Sequence, residues 1–211
     1  MALTSKDFDD APAVGTTREE LQEAVRRWME ANEKAEATGD WSYLAACYTE
    51  DAEYRWTLGP GEEFVARGRQ QIAEWAVGEQ MAGLEGWTYP YQEVLIDEKK
   101  GQVVGFWRQV SPFKREDGSE IAVAGVGCSW FKYGGDYKWK WQRDVFDLMS
   151  VFSAFSEVAA QGNLSEPLKH KLHTVGRGKL MNGHERTTPK PTMGSRVKQG
   201  AAMAKVFLLG K

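Results

Sequence analysis

Along residues 18–38, apolar side chains recur every three to four positions, which places them on one face of an α-helix. The residues that share this face are Leu21, Val25, Trp28, Met29 and Asn32. A threonine cap and an acidic first turn open the segment, and Gly39 closes it. The segment DWSYLAACY predicts a short second helix capped by Asp40, and GRQQIAEWAVGEQMAGL predicts a third.

Strand-like patterns dominate the middle of the chain. The segment DAEYRWTL alternates polar and apolar residues, and GPGEEFVARGR after it is predicted to be a loop. Four longer strand-like segments follow: YPYQEVLID, GQVVGFWRQVSPF, EIAVAGVGCSWFKY and YKWKWQRDVFDLM. Because turn sequences rich in charge or glycine separate them, we expect hairpins. The order predicts an α+β fold, in which a bent, mainly antiparallel sheet carries three helices on its inner face.

The last of these strands contains charged residues among aromatic and aliphatic ones. Charges are rarely buried without a partner or a role. Side chains alternate faces along a strand. One face holds Lys140, Gln142, Asp144 and Phe146, and the other holds Trp139, Trp141, Arg143, Val145 and Asp147. We therefore expect Asp144 to point inward, and Arg143 and Asp147 to lie on the outer surface of the sheet or at a subunit contact.

Composition narrows the class of protein. Of the 211 residues, 42% are hydrophobic and 27% are charged, which is typical of a soluble globular protein. No apolar run approaches the roughly 18 residues of a membrane-spanning helix, and the acidic N-terminus lacks the apolar core of a signal peptide. Cys47 and Cys128 are too few for a disulfide scaffold, so we interpret them as buried thiols and the compartment as cytoplasmic. All three histidines lie beyond residue 164, which argues against a transition-metal site in the body, and we expect no cofactor.

Charge is unevenly distributed along the chain. Residues 165–211 contain ten Lys or Arg and two Asp or Glu, whereas residues 1–164 contain 17 and 28. The basic residues stand singly among Gly, Thr, Pro and Met, so docking on an acidic body, its own or a partner subunit's, is favoured over binding of nucleic acid. The Gly, Thr and Pro content argues against a long helix in this tail. Its apolar end, AAMAKVFLLG, would be anchored by burial.

The order of elements between about residues 18 and 155 resembles that of the nuclear transport factor 2-like superfamily, also called SnoaL-like. The segments that carry the resemblance are GDWSYLAACYTEDAEYRW, GRQQIAEW and WQRDVFDL. It implies a cone-shaped fold that encloses an apolar pocket, and a homodimer or larger oligomer. The chain then divides into a flexible arm (1–17), the SnoaL-like domain (18–155) and a basic extension (156–211).

Within that superfamily, the segment RDVFDL most resembles the last strand of limonene-1,2-epoxide hydrolases, which reads Arg-Asp-Tyr-Phe-Asp-Leu. The resemblance implies that Asp144 is a general base for water, that Tyr54 helps to hold the water, and that Arg108 bridges catalytic carboxylates. Two positions depart from that family: its water-holding Asn is Trp56 here, and its proton-donating acid is Val110. Three of five functional positions are therefore kept, and the proton donor is missing.

The residue types themselves support a related site. If Asp144, Arg108 and Tyr54 line one cavity, the guanidinium can pair with the buried carboxylate and the phenol can hold a water or a substrate hydroxyl. The alternatives are a purely structural ion pair and an ordinary core tyrosine. Nine Trp suggest a deep aromatic cavity for a flat or cyclic ligand. The residues predicted to bind that ligand are Trp28, Trp56, Phe106, Val110, Trp130 and Phe146.

Three functions are compatible with this sequence. The first is a cofactor-independent enzyme that acts on an apolar cyclic molecule, terpenoid, steroid or polyketide-like, by proton transfer or water addition with Asp144 as base. The second is a non-catalytic protein that binds such a ligand, which the missing acid at Val110 favours. The third is a subunit that assembles a larger complex through the basic tail. Ketosteroid isomerase chemistry is disfavoured, because its two carboxylates would fall at Trp56 and near Ser129.

Overall fold

The computed structural model describes residues 15–59, 61–189 and 192–209, so most of the predicted flexible arm lies outside the described residues. The elements of the N-terminal half are helix α1 (Arg18–Thr38), a 3₁₀ helix (Trp41–Cys47), β1 (Tyr48–Gly59), β2 (Glu62–Arg67), α2 (Gly68–Gln71), a π-helical segment (Ile72–Glu79), β3 (Tyr91–Asp97) and β4 (Gln102–Trp107). Those that follow are β5 (Val110–Lys114), β6 (Glu120–Ala122), β7 (Gly127–Gly135), β8 (Lys138–Val145), α3 (Leu148–Ala160), α4 (Glu166–Gly176), β9 (His184–Arg186) and α5 (Met193–Leu209).

Seven strands form one curved sheet in the order β3-β4-β7-β8-β1-β2-β9, and β5 pairs with β6 separately. Neighbouring strands are antiparallel except β1 and β8, which run parallel. The inner face of the sheet packs against α1, the 3₁₀ helix and the π-helical segment in the main core. This is the predicted α+β architecture, a mainly antiparallel curved sheet with helices on its inner face.

The N-terminal helices form as the sequence predicted. The Thr17 hydroxyl accepts a hydrogen bond from the Glu20 amide, and the Glu20 carboxylate accepts one from the Thr17 amide, which is a capping box. Gly39 ends α1 in the left-handed conformation, at φ 73°. The Asp40 side chain accepts a hydrogen bond of 2.9 Å from the Ser42 amide and caps the 3₁₀ helix. The buried face of α1 consists of Leu21, Ala24, Trp28, Asn32 and Ala35.

Three local predictions were wrong. The segment predicted as a loop contains β2, because Phe64, Val65 and Ala66 are buried and pair with β1. The segment GQVVGFWRQVSPF is not one strand: it breaks after Trp107, and its second half, β5, joins a different sheet. The segment EIAVAGVGCSWFKY divides in the same way into β6 and β7.

The C-terminal extension packs on the body of the same chain. Strand β9 pairs with β2, and the carbonyl of Gly183 accepts a hydrogen bond of 2.7 Å from the Val65 amide. Arg186 forms an ion pair of 2.7 Å with Glu62, as expected for a basic tail on an acidic body. The predicted boundary at residue 155 falls inside α3, whose residue Val158 belongs to a second core cluster.

The prediction that the tail lacks a long helix was wrong. Helix α4 has 11 residues and α5 has 17. Glycine and proline concentrate between residues 176 and 191, so they interrupt the extension only in its middle. In the described part of the chain, no helix is both long and apolar enough to cross a membrane.

Candidate active site

The curved sheet and the helices enclose a cavity of about 350 Å³. Its wall is mostly aromatic, and prominent residues of this wall are Trp28, Trp41, Tyr54, Trp56, Trp107 and Phe146. The Trp56 ring stacks on Phe64, with 3.6 Å between ring centroids. A cavity of this size and composition suits a small, largely apolar ligand.

Asp144 is the carboxylate in the deep wall of this cavity, and it is 9% exposed. Its Oδ1 accepts hydrogen bonds of 2.7 Å from the Ser129 hydroxyl and 2.7 Å from the Gln142 amide. Its Oδ2 accepts a hydrogen bond from the Tyr54 hydroxyl. Three neutral donors therefore hold the carboxylate, and it makes no ion pair with any described residue.

Strand pairing brings these groups together from distant parts of the sequence. Ser129 on β7 lies opposite Asp144 on β8, and Tyr54 on β1 lies opposite Gln142. Gln142 and Asp144 are two residues apart on one strand, so both side chains point to the inner face. The arrangement is thus fixed by the register of three central strands, which are more rigid than loops.

A second layer of hydrogen bonds orients the donors. The Trp107 indole donates to the Ser129 hydroxyl at 2.9 Å, which directs the Ser129 proton toward Asp144. The Tyr48 hydroxyl donates to the Gln142 carbonyl oxygen and so turns the Gln142 amide toward the same carboxylate. Ser129 on β7 and Gln142 on β8, which both donate to Asp144, are therefore each oriented by a buried aromatic side chain.

Burial governs the electrostatics of this cluster. It raises the pKa of Asp144 above its usual value of 3.8, while the hydrogen bonds from Tyr54, Gln142 and Ser129 oppose that rise. Burial, followed by the neighbouring Asp144 charge, raises the pKa of Tyr54 well above 10, so the phenol stays neutral. A carboxylate with a raised pKa is a stronger base than one in water, and Asp144 faces a cavity able to hold a small ligand.

Some of the residues predicted for the site meet in the cavity. Those that line it are Asp144, Tyr54, Trp28, Trp56 and Phe146. The other predicted site residues are absent from the described residues that border the cavity. They are Arg108, Phe106, Val110 and Trp130.

The predicted pairing of Arg108 with Asp144 was wrong. Arg108 forms an ion pair with Glu120 at 3.1 Å, and the two side chains are 39% and 57% exposed. Val103 and Trp107 point inward from β4, so Phe106 and Arg108 point outward. Because side chains alternate along a strand, an error of one position moves every residue of the strand to the wrong face.

The outer face of the sheet holds Trp130 and Arg143. The Trp130 ring lies 5.1 Å from that of Trp141, on the side opposite the cavity. Arg143 also lies on this face, as predicted, but it is buried and forms an ion pair of 2.8 Å with Glu63. Asp147 has a local role, since its side chain accepts a hydrogen bond of 2.9 Å from the Met149 amide and caps α3.

Sequence reasoning missed several residues of the site. The positions of Ser129 and Trp107 in the site depend on the pairing of β4, β7 and β8, which no local sequence pattern reveals. Gln142 was detectable, because it shares a face with Asp144 two positions away. The contribution of the C-terminal extension was also missed, although Lys171 and His184 line the same cavity.

Comparisons with known proteins agree with this fold. The model of the SnoaL-like domain matches residues 22–140. A protein described as a SnoaL-like polyketide cyclase from Jannaschia sp. CCS1 is 16% identical, with 69% of this chain and 96% of that chain covered and a TM-score of 0.48. A LEH-like epoxide hydrolase from M. tuberculosis is 19% identical, with coverages of 76% and 99% and a TM-score of 0.46. A phenazine biosynthesis-related protein from Pseudomonas aeruginosa is 20% identical, with coverages of 66% and 92% and a TM-score of 0.48.

Among proteins with curated descriptions, none matches this sequence. The domain model nevertheless covers more than half of the chain, and the fold has the expected order of helices and strands. The chain therefore belongs to the SnoaL-like family of the nuclear transport factor 2-like superfamily, whose members include polyketide cyclases, isomerases and epoxide hydrolases.

Proposed function

We propose that the protein is a cofactor-independent enzyme that acts on an apolar cyclic molecule, with Asp144 as the general base. The observation that carries this proposal is a buried carboxylate that faces an aromatic cavity and is held by three neutral donors rather than by a cation. A structural carboxylate of comparable burial normally has a cationic partner. Its absence among the described residues leaves the carboxylate able to accept a proton.

The chemical step is a proton transfer to Asp144 Oδ1 or Oδ2. In water addition to an epoxide, Asp144 takes a proton from a water molecule as the water oxygen bonds to a ring carbon. The C–O bond of the epoxide at that carbon breaks, and its electron pair moves onto the ring oxygen, which takes a proton from solvent. In isomerisation or cyclisation, it takes a proton from a carbon next to a carbonyl group, and the electron pair moves onto the carbonyl oxygen. Both routes need a base in apolar surroundings, where desolvation strengthens the carboxylate.

The neighbouring side chains control the state of this base. Ser129 and Gln142 fix the position of Oδ1, whereas the Tyr54 hydroxyl lies at the cavity wall beside Oδ2. Tyr54 stays neutral, so it can leave Asp144 and donate a hydrogen bond to a substrate oxygen once Asp144 is protonated. Arg108 has no role in this scheme, because it pairs with Glu120 away from the cavity.

A second candidate is a non-catalytic protein that binds the same class of ligand. The observation that favours it is the small number of carboxyl groups in the described cavity wall. These are Asp144 and Glu62. Glu62 pairs with Arg186, so the described cavity wall offers no second free carboxyl group opposite Asp144. An enzyme that opens an epoxide by acid and base together would need such a group.

Ligand binding and turnover measured on the same samples separate the two candidates. Calorimetric titration with terpene epoxides, steroids and aromatic polyketides would identify binders, and product analysis would show whether any is converted. Conversion that disappears in Asp144→Asn supports the enzyme. Binding without conversion across all three classes supports the binding protein instead.

We also propose a homodimer or a larger closed oligomer. The support is helix α5, whose apolar side chains are exposed in the single chain, with Phe207 at 79%. Light scattering of the full chain and of a chain that ends at residue 192 tests this. The full chain should have at least twice the monomer mass and the shortened chain less, whereas a monomer in both cases contradicts the proposal.

A further inference from the structure

The C-terminal extension builds one side of the ligand cavity. The matched SnoaL-like domain ends at residue 140, so this wall lies outside it. Leu168, Lys171 and Leu172 of α4 and His184 of β9 all line the cavity. Residues that lie outside the shared domain but border its cavity are well placed to select the ligand.

Lys171 is the unusual residue of this wall. It is half-buried, and its ammonium donates a hydrogen bond of 2.7 Å to the backbone carbonyl of Gln80. It forms no ion pair with the described residues. Burial lowers the pKa of Lys171 to about 8, although the nearby Glu85 and Glu79 charges oppose this. An ammonium that is removed from water without a carboxylate partner is costly, so a counter-ion is expected at this position.

The acidic groups around Lys171 are engaged with other partners. Glu85 accepts a hydrogen bond of 2.9 Å from the Gly83 amide. Glu79 accepts one of 2.9 Å from the Asn182 side chain. Neither carboxylate forms an ion pair with Lys171, so its ammonium can bind an anionic group that enters the cavity.

Two further polar atoms near this wall lack partners. The Gln80 side-chain nitrogen and His184 Nε2 are buried with no hydrogen bond among the described residues. Both residues border the cavity. Burial lowers the pKa of His184 below 6.5, so its ring is neutral at neutral pH and adds polarity without charge. The unsatisfied Gln80 amide, the His184 ring nitrogen and an ammonium without a carboxylate partner border one cavity, and polar groups of this kind favour an anion.

We propose that the ligand is an apolar molecule that carries one carboxylate or similarly acidic group, and that Lys171 binds this group. The acidic group cannot lie beside Asp144, because two carboxylates repel each other. The ligand therefore enters with its acidic end at α4 and its apolar end toward Asp144. This assignment shares the cavity with the proposed function but does not require Asp144 to be a base.

Calorimetry with a matched pair of probes tests the proposal. The probes are 2-naphthoate and 2-naphthamide, which have the same shape and differ in charge. At pH 6.5 the wild-type protein should bind naphthoate at least tenfold more tightly than the amide, a difference of about 1.4 kcal/mol. Lys171→Met should abolish this preference and leave affinity for the amide within about twofold. Lys169→Met is the matched control, because Lys169 lies on the same helix but is exposed and pairs with Glu166.

The pH dependence adds an independent readout. Since the pKa of free Lys171 is about 8, the preference for naphthoate should be full at pH 6.5 and lost by pH 9.5. Burial lowers the pKa of His184 below 6.5, so the change above pH 6.5 is expected to come from Lys171. Equal affinity for the two probes in the wild type, no binding of either, or an equal effect of both lysine substitutions would overturn the proposal. If the preference for naphthoate persists in Asp144→Asn, it does not depend on whether Asp144 is the catalytic base.

Discussion

Replacement of Asp144 by asparagine removes the proposed base with little change in shape. The asparagine oxygen can accept the hydrogen bonds from Ser129 and Gln142, and its amide can donate to the Tyr54 hydroxyl, which then acts as acceptor. All three contacts are therefore kept and one is reversed. Because a neutral hydrogen bond contributes about 1 kcal/mol net, the free energy of unfolding at pH 5 should change by no more than about 1 kcal/mol.

The expected loss of activity is much larger than this loss of stability. A positioned general base accelerates a reaction by roughly 10²–10⁴-fold. The rate of Asp144→Asn should therefore fall at least about 100-fold, which corresponds to about 2.7 kcal/mol in the activation barrier. A structural role alone would instead lower stability and activity together.

Ring opening of 5-nitrobenzisoxazole provides an assay that does not depend on the natural substrate. A base removes the proton on C3, the N–O bond breaks, and the coloured 2-cyano-4-nitrophenolate appears. The wild-type rate should rise with pH through the pKa of Asp144, which burial places above 3.8, and the variant should show no such step. Asp51→Asn serves as control, because Asp51 is exposed and its carboxylate accepts a hydrogen bond from Thr49 outside the cavity. A variant rate within threefold of the wild type would refute the assignment of Asp144 as base.

Thermal unfolding gives the sign of the electrostatic effect. The folded pKa of Asp144 is raised above its unfolded value of 3.8, so folding favours the protonated form. Its contribution to stability is full below pH 3.8 and is lost as pH rises through the folded pKa. The Tm of Asp144→Asn relative to the wild type should therefore increase between pH 4 and pH 8, and a relative Tm that falls over this range contradicts a raised pKa.

Three further substitutions test the surroundings of the site. Arg108→Ala should change the free energy of unfolding by less than about 1 kcal/mol in urea titrations, because its ion pair is exposed; a loss above 3 kcal/mol would indicate a buried charge after all. Ser129→Ala should lower the free energy of unfolding by about 1–3 kcal/mol, since the buried Trp107 indole loses its acceptor. It should also move the pH at which the Asp144-dependent rate rises to a higher value. An unchanged pH for this rise would mean that Ser129 does not stabilise the carboxylate. Gly183→Ala should cost about 1–3 kcal/mol, because φ is 77° and a Cβ would lie 2.5 Å from the Phe64 ring; faster proteolysis of the extension would confirm its release, and wild-type protease resistance would contradict it.

The sequence predicted those elements whose signals are local. The capping threonine, the apolar face of α1 and Gly39 lie within a few residues of one another, so the helix could be bounded from the sequence. The two faces of the last strand were also assigned correctly around Asp144, because alternation is a property of a single strand. From these, the α+β class and the inward carboxylate followed.

Pairing between strands decided which groups surround that carboxylate. The choice of Arg108 as the partner of Asp144 failed because the strand breaks after Trp107. In addition, pairing with β7 fixes which side chains of β4 point inward. Ser129, which does contact Asp144, is 15 residues away in sequence and directly opposite in the sheet. A sequence pattern records the face of a residue but not the register between strands, which depends on packing over the whole sheet.

The extension shows the same limit over a longer distance. Its basic character and its docking on an acidic body could be predicted, since charge is readable from composition. That Lys171 reaches the cavity could not be predicted, because it depends on α4 packing against a cavity whose other walls come mainly from residues 28–155. The sequence by itself determined the fold class, the boundaries of α1 and an inward Asp144, whereas the tertiary structure alone decided its partners, since buried polar groups take whichever donors the assembled core places within hydrogen-bonding distance.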